Sequence, residues 1–305
     1  MSKTPKNAGM SQFFANAFYH SKFMNSLFVV KASGELIEDD DALDGLIRNI
    51  KKLTHHGIKV VLVYGGGKAT DKALEQQGIE IKKVQGRRIT DAETLDVMKQ
   101  TIGGTLSLRI YSAMSKHAIE GYNLNAVPAD WMNVERRAPV DGVDYGFVGD
   151  ILSARERGIK RLFKVTNFIA VPCLAHAEGG MIVNINADTI ATELAIGAQA
   201  DKLIFLSNVD GVLKDGETIF MLTDQDIPAL IDDGTVTEGM RVKMENCVRA
   251  LHKGVKRIHL INGMRDNALE KEIFEAVGPG TMLISEDEKL RYMNEVEVQK
   301  AIGAK

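Results

Sequence analysis

Apolar residues fall along this chain in two alternating rhythms. Short runs at Leu27 to Val30, Val60 to Tyr64, Phe168 to Leu174, Met181 to Ile185, Lys202 to Leu206, Arg257 to Ile261 and Thr281 to Ile284 have strand length and few polar breaks, the pattern of strands buried on both faces. Between them the spacing becomes helical. Leu43, Leu46, Ile47 and Ile50 mark one buried stripe, started by the acidic run Glu38-Asp39-Asp40-Asp41 and ended by Gly57. Asp91 to Ile119 reads as mostly helical with an interruption at Gly103-Gly104. Asp188 to Ala198, Asp226 to Ile231, Met240 to Leu251 and Asp266 to Ala276 read as further helices. Residues 123–145 are less regular, contain Trp131, and predict a hairpin-like flap over a site. Strand alternating with helix is the mark of a parallel sheet with right-handed crossovers, so the fold class is α/β. Ahead of the first strand, Met10, Phe13, Phe14, Ala17 and Phe18 give one apolar helix face, to be packed on its own domain or on another subunit. The tail from Glu286 is charged and helix-compatible.

At 305 residues the chain exceeds the size at which a single core keeps growing, which predicts two lobes with a boundary near Leu174 to Gly180. A net charge of −3 and a pI of about 6.2 leave no broad basic face for nucleic acid. The two cysteines, Cys173 and Cys247, lie far apart without metal-ligand spacing, which suits structural thiols in a reducing cytoplasm. No apolar run approaches the roughly 18 residues that cross a membrane, and the N-terminal stretch, interrupted by Asn16, His20 and Lys22, does not read as a cleavable signal.

Candidate chemistry gathers at strand ends. Val60 to Tyr64 opens through Gly65-Gly66-Gly67-Lys68 into a helical stretch, which offers bare backbone N–H groups and a helix N-terminus to an anion. A plain tight turn has the same composition. Ala69 after Lys68 excludes a P-loop, and no G-x-G-x-x-G is present. Five polar or Gly-rich turns, 31–34, 64–68, 184–188, 207–211 and 262–265, stand at predicted carboxyl ends of strands, where open α/β sheets bind ligands. Together they point to phosphoryl transfer, which needs positive charge on the moving group, metal on the leaving phosphates, and alignment. Lys31 ends a buried strand, where an unpaired ammonium is costly. Asp188 suits orienting such a lysine, holding magnesium, or capping the helix after it. Lys243 stands at a helical start, where a solvated lysine is the default reading and a phosphate-facing one the alternative. Arg87-Arg88 suits a bidentate clamp on a carboxylate or a surface pair at a helix start. The seven histidines form no metal-ligand motif, His55-His56 reads as solvated, and no Gly-x-Ser-x-Gly elbow occurs.

Eight blocks follow one another in a recognisable order: Val30-Lys31-x-x-Gly34, Gly65-Gly66-Gly67, Gly86-Arg87-Arg88-Ile89-Thr90-Asp91-Ala92-Glu93-Thr94, Gly146-Phe147-Val148-Gly149, Asn184-Ile185-Asn186-Ala187-Asp188, Leu206-Ser207-Asn208-Val209-Asp210-Gly211-Val212, Gly239-Met240-x-x-Lys243 and Gly278-Pro279-Gly280-Thr281-Met282. The series resembles the amino-acid-kinase family, in its acetylglutamate-kinase branch. The resemblance implies an open three-layer αβα sandwich with a central, mainly parallel sheet. It implies residues 26–176 as the lobe for N-acetyl-L-glutamate and 177–285 as the lobe for MgATP, flanked by an extension helix over 1–25 and a charged tail over 286–305. The implied reaction is attack of the substrate γ-carboxylate on the γ-phosphate of ATP, giving an acyl phosphate and ADP, in arginine biosynthesis.

Carried over position by position, Lys31 and Lys243 would stabilise the moving phosphoryl group and Asp188 would orient both. Gly66, Gly67 and Gly34 would donate N–H groups to it, Arg88 would bind the substrate α-carboxylate, and Asn184 with Asn186 the acetylglutamate moiety. Ser207, Asn208, Val209, Asp210 and Gly211, with Lys243, would border the nucleotide. Mg²⁺ would be held mainly by ATP phosphates, with no protein ligand assigned. The Phe-rich first helix resembles the extension of arginine-inhibited members, which implies a homo-oligomer, dimer or hexamer, inhibited by L-arginine near the C-terminal lobe. Three places depart from the family pattern: Ala32-Ser33 where two glycines are usual, Tyr64 and Lys68-Ala69 around the glycine triplet, and Asn208 where Asp is typical. They leave two alternatives open, a kinase of another carboxylate and a non-catalytic arginine-binding lobe.

Overall fold

The computed structural model describes residues 17–301 except residues 85 and 276. Along the chain it runs as α1 (residues 17–23), β1 (Leu27–Ala32), α2 (Gly34–Glu38), α3 (Asp40–His55), β2 (Lys59–Tyr64), α4 (Gly67–Gln76), β3 (Lys83–Val84), β4 (Arg87–Arg88) and α5 (Ala92–Met98). A π-helical segment, Lys99–Leu106, carries α5 into α6 (Ser107–Lys116). There follow β5 (Tyr122–Asn123), β6 (Met132–Arg136), β7 (Gly149–Ala154), α7 (Glu156–Leu162), β8 (Phe168–Pro172), β9 (Leu174–His176), β10 (Ile182–Asn184), α8 (Ala187–Gly197) and β11 (Lys202–Ser207). The chain closes with β12 (Leu213–Lys214), β13 (Glu217–Thr218), β14 (Met221–Thr223), α9 (Ile227–Asp232), α10 (Glu238–His252), β15 (Arg257–Asn262), α11 (Ala268–Phe274), β16 (Thr281–Ile284) and α12 (Glu286–Ala301).

The strands that are apolar on both faces make one eight-stranded sheet in the order β14-β16-β15-β11-β1-β2-β8-β5. Every neighbouring pair in it is parallel except β15 with β16. Helices cover it, since a strand buried on both faces needs apolar cover on both. One layer sets α3 on β2, with α6 and α11 packed on α3 and α11 on β15. Another sets α8 on β1, β2 and β11, with α10 beside it. Asp39 caps α3 by accepting the Ala42 N–H (2.9 Å), which gives the acidic run its start-of-helix role. A single apolar core runs from Phe23 through Val29, Leu62 and Ile204 to Leu283.

Several local expectations are corrected. The interruption around Gly103-Gly104 takes the form of the π-helical segment, from which Ile102 and Leu106 turn inward. Within residues 123–145 the expected hairpin is present, as β6 pairs antiparallel with β7, but Trp131 is buried in the core. Strands β9 and β10 form their own antiparallel pair outside the main sheet, so the 184–188 turn does not extend a sheet strand. His56 is partly buried against the Phe274 ring, and burial first, then His55 and His20, lower its pKa. Of the Phe-rich first helix, Met10, Phe13 and Phe14 lie outside the described residues. Its described end packs on its own chain, with Tyr19 and Phe23 buried against Phe274 and Phe23 against Phe28.

Candidate active site

Strands β1, β2, β11 and β15 run in parallel side by side, so four of the five turns reach one edge of the sheet. Backbone bonds stitch these turns together. Ser33 N–H donates to the Leu206 carbonyl (3.1 Å), Gly65 N–H to Ala32 (3.4 Å), and Gly263 N–H to Ser207 (2.8 Å). The first two turns also touch: a Cβ on Gly34 would stand 3.2 Å from the Gly66 Cα. A Cβ on Gly66 would meet Ile102 at 2.7 Å and Leu106 at 2.8 Å, so the π-helical segment backs this turn and only glycine fits there. On Gly67, which is exposed, a Cβ would meet nothing within 4 Å.

Three predicted charges converge beside this edge. Lys31, at the end of β1, places Nζ 2.8 Å from Asp188 Oδ1, and Lys243, on α10, places Nζ 3.5 Å from Oδ2. Helix α8 brings the carboxylate there, but Asp188 is not its cap. Asn186 Oδ1 fills that role, accepting the Asp188 N–H (2.8 Å) and the Thr189 N–H (3.4 Å). Burial pushes the Asp188 carboxyl up, yet Lys31 and Lys243 outweigh it and hold it below the usual carboxylate range. Lys243 also lies over the Phe205 ring at 5.4 Å. Two cations sharing one fixed carboxylate form a rigid electropositive pair, the arrangement that stabilises charge moving between anions.

The acceptor-side candidates occupy the neighbouring wall. Arg88 Nη2 pairs with Asp71 (2.6 Å) and donates to the Gly67 carbonyl (3.2 Å), while its Nη1 is buried with no partner. Asn184 donates through Nδ2 to Thr90 Oγ1 (3.2 Å). The 86–94 and 146–149 blocks meet here as well. Phe147 N–H donates to the Thr90 carbonyl (2.7 Å), and a Cβ on Gly146 (φ +71°) would stand 2.2 Å from that oxygen. Asn186 is exposed with its Oδ1 engaged in capping. Arg87 is exposed.

At the end of β11, Ser207 accepts the Val209 N–H at 3.4 Å, and Asn208 and Val209 are exposed. Asp210 is tied to Asn262 (2.8 Å) and Arg265 (2.6 Å), which joins this turn to 262–265. Gly211 (φ +117°) backs onto Thr281, whose Oγ1 accepts the Val212 N–H (2.8 Å).

Sequence reasoning did not identify Asp71, which fixes Arg88, or the Glu35–Lys68 ion pair that bridges the two glycine turns. Asp71 follows Lys68 by three residues, one turn along α4, a spacing that signals a shared face but not a partner. Cys173, read as structural, is buried beside Gly66, and burial pushes its thiol up to about 11. Among the described residues no group of three or more His, Cys, Asp or Glu side chains is arranged to hold a metal, and no helix is long and apolar enough to cross a membrane.

Residues 26–262 match the amino acid kinase family. The chain is 32% identical over 266 residues to a protein named acetylglutamate kinase from Campylobacter hominis, covering 87% of this chain and 93% of that one. It is 35% identical over 283 residues to an acetylglutamate kinase from Psychrobacter arcticus, covering 90% and 93%. Among solved structures it is similar to N-acetylglutamate synthase from Neisseria gonorrhoeae complexed with coenzyme A and L-arginine, with a TM-score of 0.80 and 26% identity over 90% of this chain. This chain spans 65% of the synthase chain. A carbamate kinase from Giardia, at TM-score 0.58 and 17% identity over 86% of this chain and 99% of that one, shares the fold.

Proposed function

This chain belongs to the amino acid kinase family, and from that premise we propose that it transfers the terminal phosphoryl group of ATP to the γ-carboxylate of N-acetyl-L-glutamate. The observation that carries this reading is the Lys31–Asp188–Lys243 constellation at the mouth of the two touching glycine turns. A carboxylate oxygen forms the new bond to phosphorus as the bond to the β-phosphate oxygen breaks, and ADP leaves with that electron pair. Lys31 and Lys243 take the charge on the moving group, Asp188 fixes both, and the Gly34, Gly66 and Gly67 N–H groups face it. The lobe over 26–176 holds the acceptor, with Arg88 Nη1 on its α-carboxylate and Asn184 and Asn186 along its acetylated end. The lobe over 177–285 holds the nucleotide along Ser207 to Gly211. Mg²⁺ would be held by the nucleotide phosphates and would neutralise their charge; Asp188 is ion-paired with both lysines, and no protein ligand is assigned.

The reading is tested by ADP release with MgATP against N-acetylglutamate, glutamate and UMP as rival acceptors, with hydroxylamine trapping the acyl phosphate. Turnover with N-acetylglutamate alone is expected; silence with all three sinks it. The likeness to an arginine-bound synthase raises the alternative of a regulatory lobe without turnover, against which stands the intact lysine–aspartate–lysine set. L-Arginine as an inhibitor and assembly through the N-terminal helix belong to the same proposal. The described end of that helix already rests on the C-terminal lobe through Tyr19, Phe23 and Phe274. Light scattering is expected to give a hexamer whose turnover falls on adding arginine. A dimeric mass removes the ring.

A further inference from the structure

Lys68 belongs neither to the lysine pair on Asp188 nor to the acceptor wall, yet it stands where the two glycine turns meet. Glu35 follows Gly34 in the first turn of α2, Lys68 follows Gly67 in the first turn of α4, and the two are ion-paired. The placements differ in sign. A carboxylate suits a helix N-terminus, whereas a lysine there opposes the helix dipole. The pair does not repay that cost in stability: the Lys68 side chain is 73% exposed, and exposed ion pairs are worth about 0–1 kcal/mol. The cation sits one residue beyond the exposed Gly67, on a flexible four-carbon stem, beside the point where the two backbone turns touch. Lys31 and Lys243, 14% and 23% exposed, share Asp188, whereas the far more exposed Lys68 is held by Glu35 alone.

We propose that Lys68 is a further phosphate-binding residue. In the free protein it rests on Glu35, and it moves onto the terminal phosphate of the nucleotide when that phosphate binds at the edge where the turns meet. Glu35 is then the competitor that the phosphate must displace. This assignment rests on the phosphoryl-transfer reading of the site, and it puts a role on one of the positions where this chain departs from its family.

The test is equilibrium binding by calorimetry, without acceptor, of Mg²⁺ with an ATP analogue bearing a β–γ imido bridge, and separately of Mg²⁺ with ADP. Lys68→Met is expected to weaken the analogue by about three- to tenfold, the scale of one charge-assisted contact near the surface, and to leave ADP unchanged. Glu35→Gln is expected to tighten the analogue, and the double variant to stay weaker than Glu35→Gln alone. Equal weakening of analogue and ADP, or none, overturns the assignment, as does a double variant that matches Glu35→Gln. Failure of the unaltered protein to bind either nucleotide overturns both this assignment and the kinase reading. Normal binding with an indifferent Lys68 overturns this one alone.

Discussion

Replacing Lys31 by alanine is expected to cut kcat by about 10²–10³-fold, the effect of deleting one preorganised electrostatic stabiliser, with little change in unfolding temperature. The ammonium lies 2.8 Å from Asp188 and directly beside the turn that ends in Gly34. Its loss removes charge from the transition state more than from either bound substrate, so kcat falls further than KM rises. A second change follows from the shared carboxylate. Burial alone pushes Asp188 up, and Lys31 is the first cation opposing it. With Lys31 gone, only Lys243 at 3.5 Å remains, so the Asp188 pKa rises and residual activity is lost at a higher pH on the acid side than in the unaltered protein. Asp188→Asn is expected to lose most of the same rate, because both lysines lose the group that fixes them. Steady-state kinetics over pH 5–9, about a unit or two either side of neutrality, check both. A Lys31→Ala variant with unchanged kcat would falsify the assignment of Lys31 to the moving phosphoryl group.

The parts of this site that could be read in the sequence are those carried by short segments. Lys31 was legible because four apolar residues lead into it, and the glycine triplet because it divides a strand from a helix. Once strands lie parallel, strand order alone brings such ends together. That the Asp188 carboxylate reaches both lysines was implied by the family resemblance and could not be derived from spacing, since Lys31 and Lys243 stand on elements that meet only through tertiary packing. The 184–188 turn shows the limit. It reads as a sheet-strand end, but β10 pairs with β9 instead, and α8 rather than the sheet aims Asp188. Trp131 was misplaced for a related reason. An irregular stretch with one aromatic suggests a hairpin, which β6 and β7 do form, but gives no periodicity that places Trp131 in the core. Glu35 and Lys68 were each visible as a charge beside a glycine turn, but their contact depends on how closely Gly34 approaches Gly66.

The least legible feature was a buried polar chain far from the reacting groups, and it carries the largest expected effect on stability. Lys202 Nζ stands 2.9 Å from His259 Nε2, His259 Nδ1 2.7 Å from Glu272 Oε1, and Glu272 Oε2 accepts the Gly280 N–H at 3.0 Å. In sequence these residues are isolated polar positions in strands and a helix with no spacing that pairs them, yet all three are buried. Burial, then Arg257, pushes Lys202 down to about 7, and burial, then Lys202, pushes His259 down to about 4. Glu272→Ala leaves the His259 and Gly280 donors without acceptors and the buried Lys202 without its nearby carboxylate. The expected cost is about 3–5 kcal/mol, that of breaking a buried charged pair by removing one member. Glu272→Gln, which keeps an acceptor oxygen and the volume, is expected to cost less. Urea unfolding measures both, and a Glu272→Ala variant within about 1 kcal/mol of the unaltered protein would refute a structural role for the chain. The pH dependence has a fixed sign. The unfolded chain protonates His259 at the ordinary histidine value of 6.5 while the folded one waits until about 4, so stability is lost as pH falls through that window. Lys202 acts in the same direction between about 7 and 10.5, where the unfolded chain alone keeps the proton, so stability rises with pH there too. His259→Gln is expected to flatten the lower window and leave the upper one in place, which separates the two groups in one set of unfolding curves.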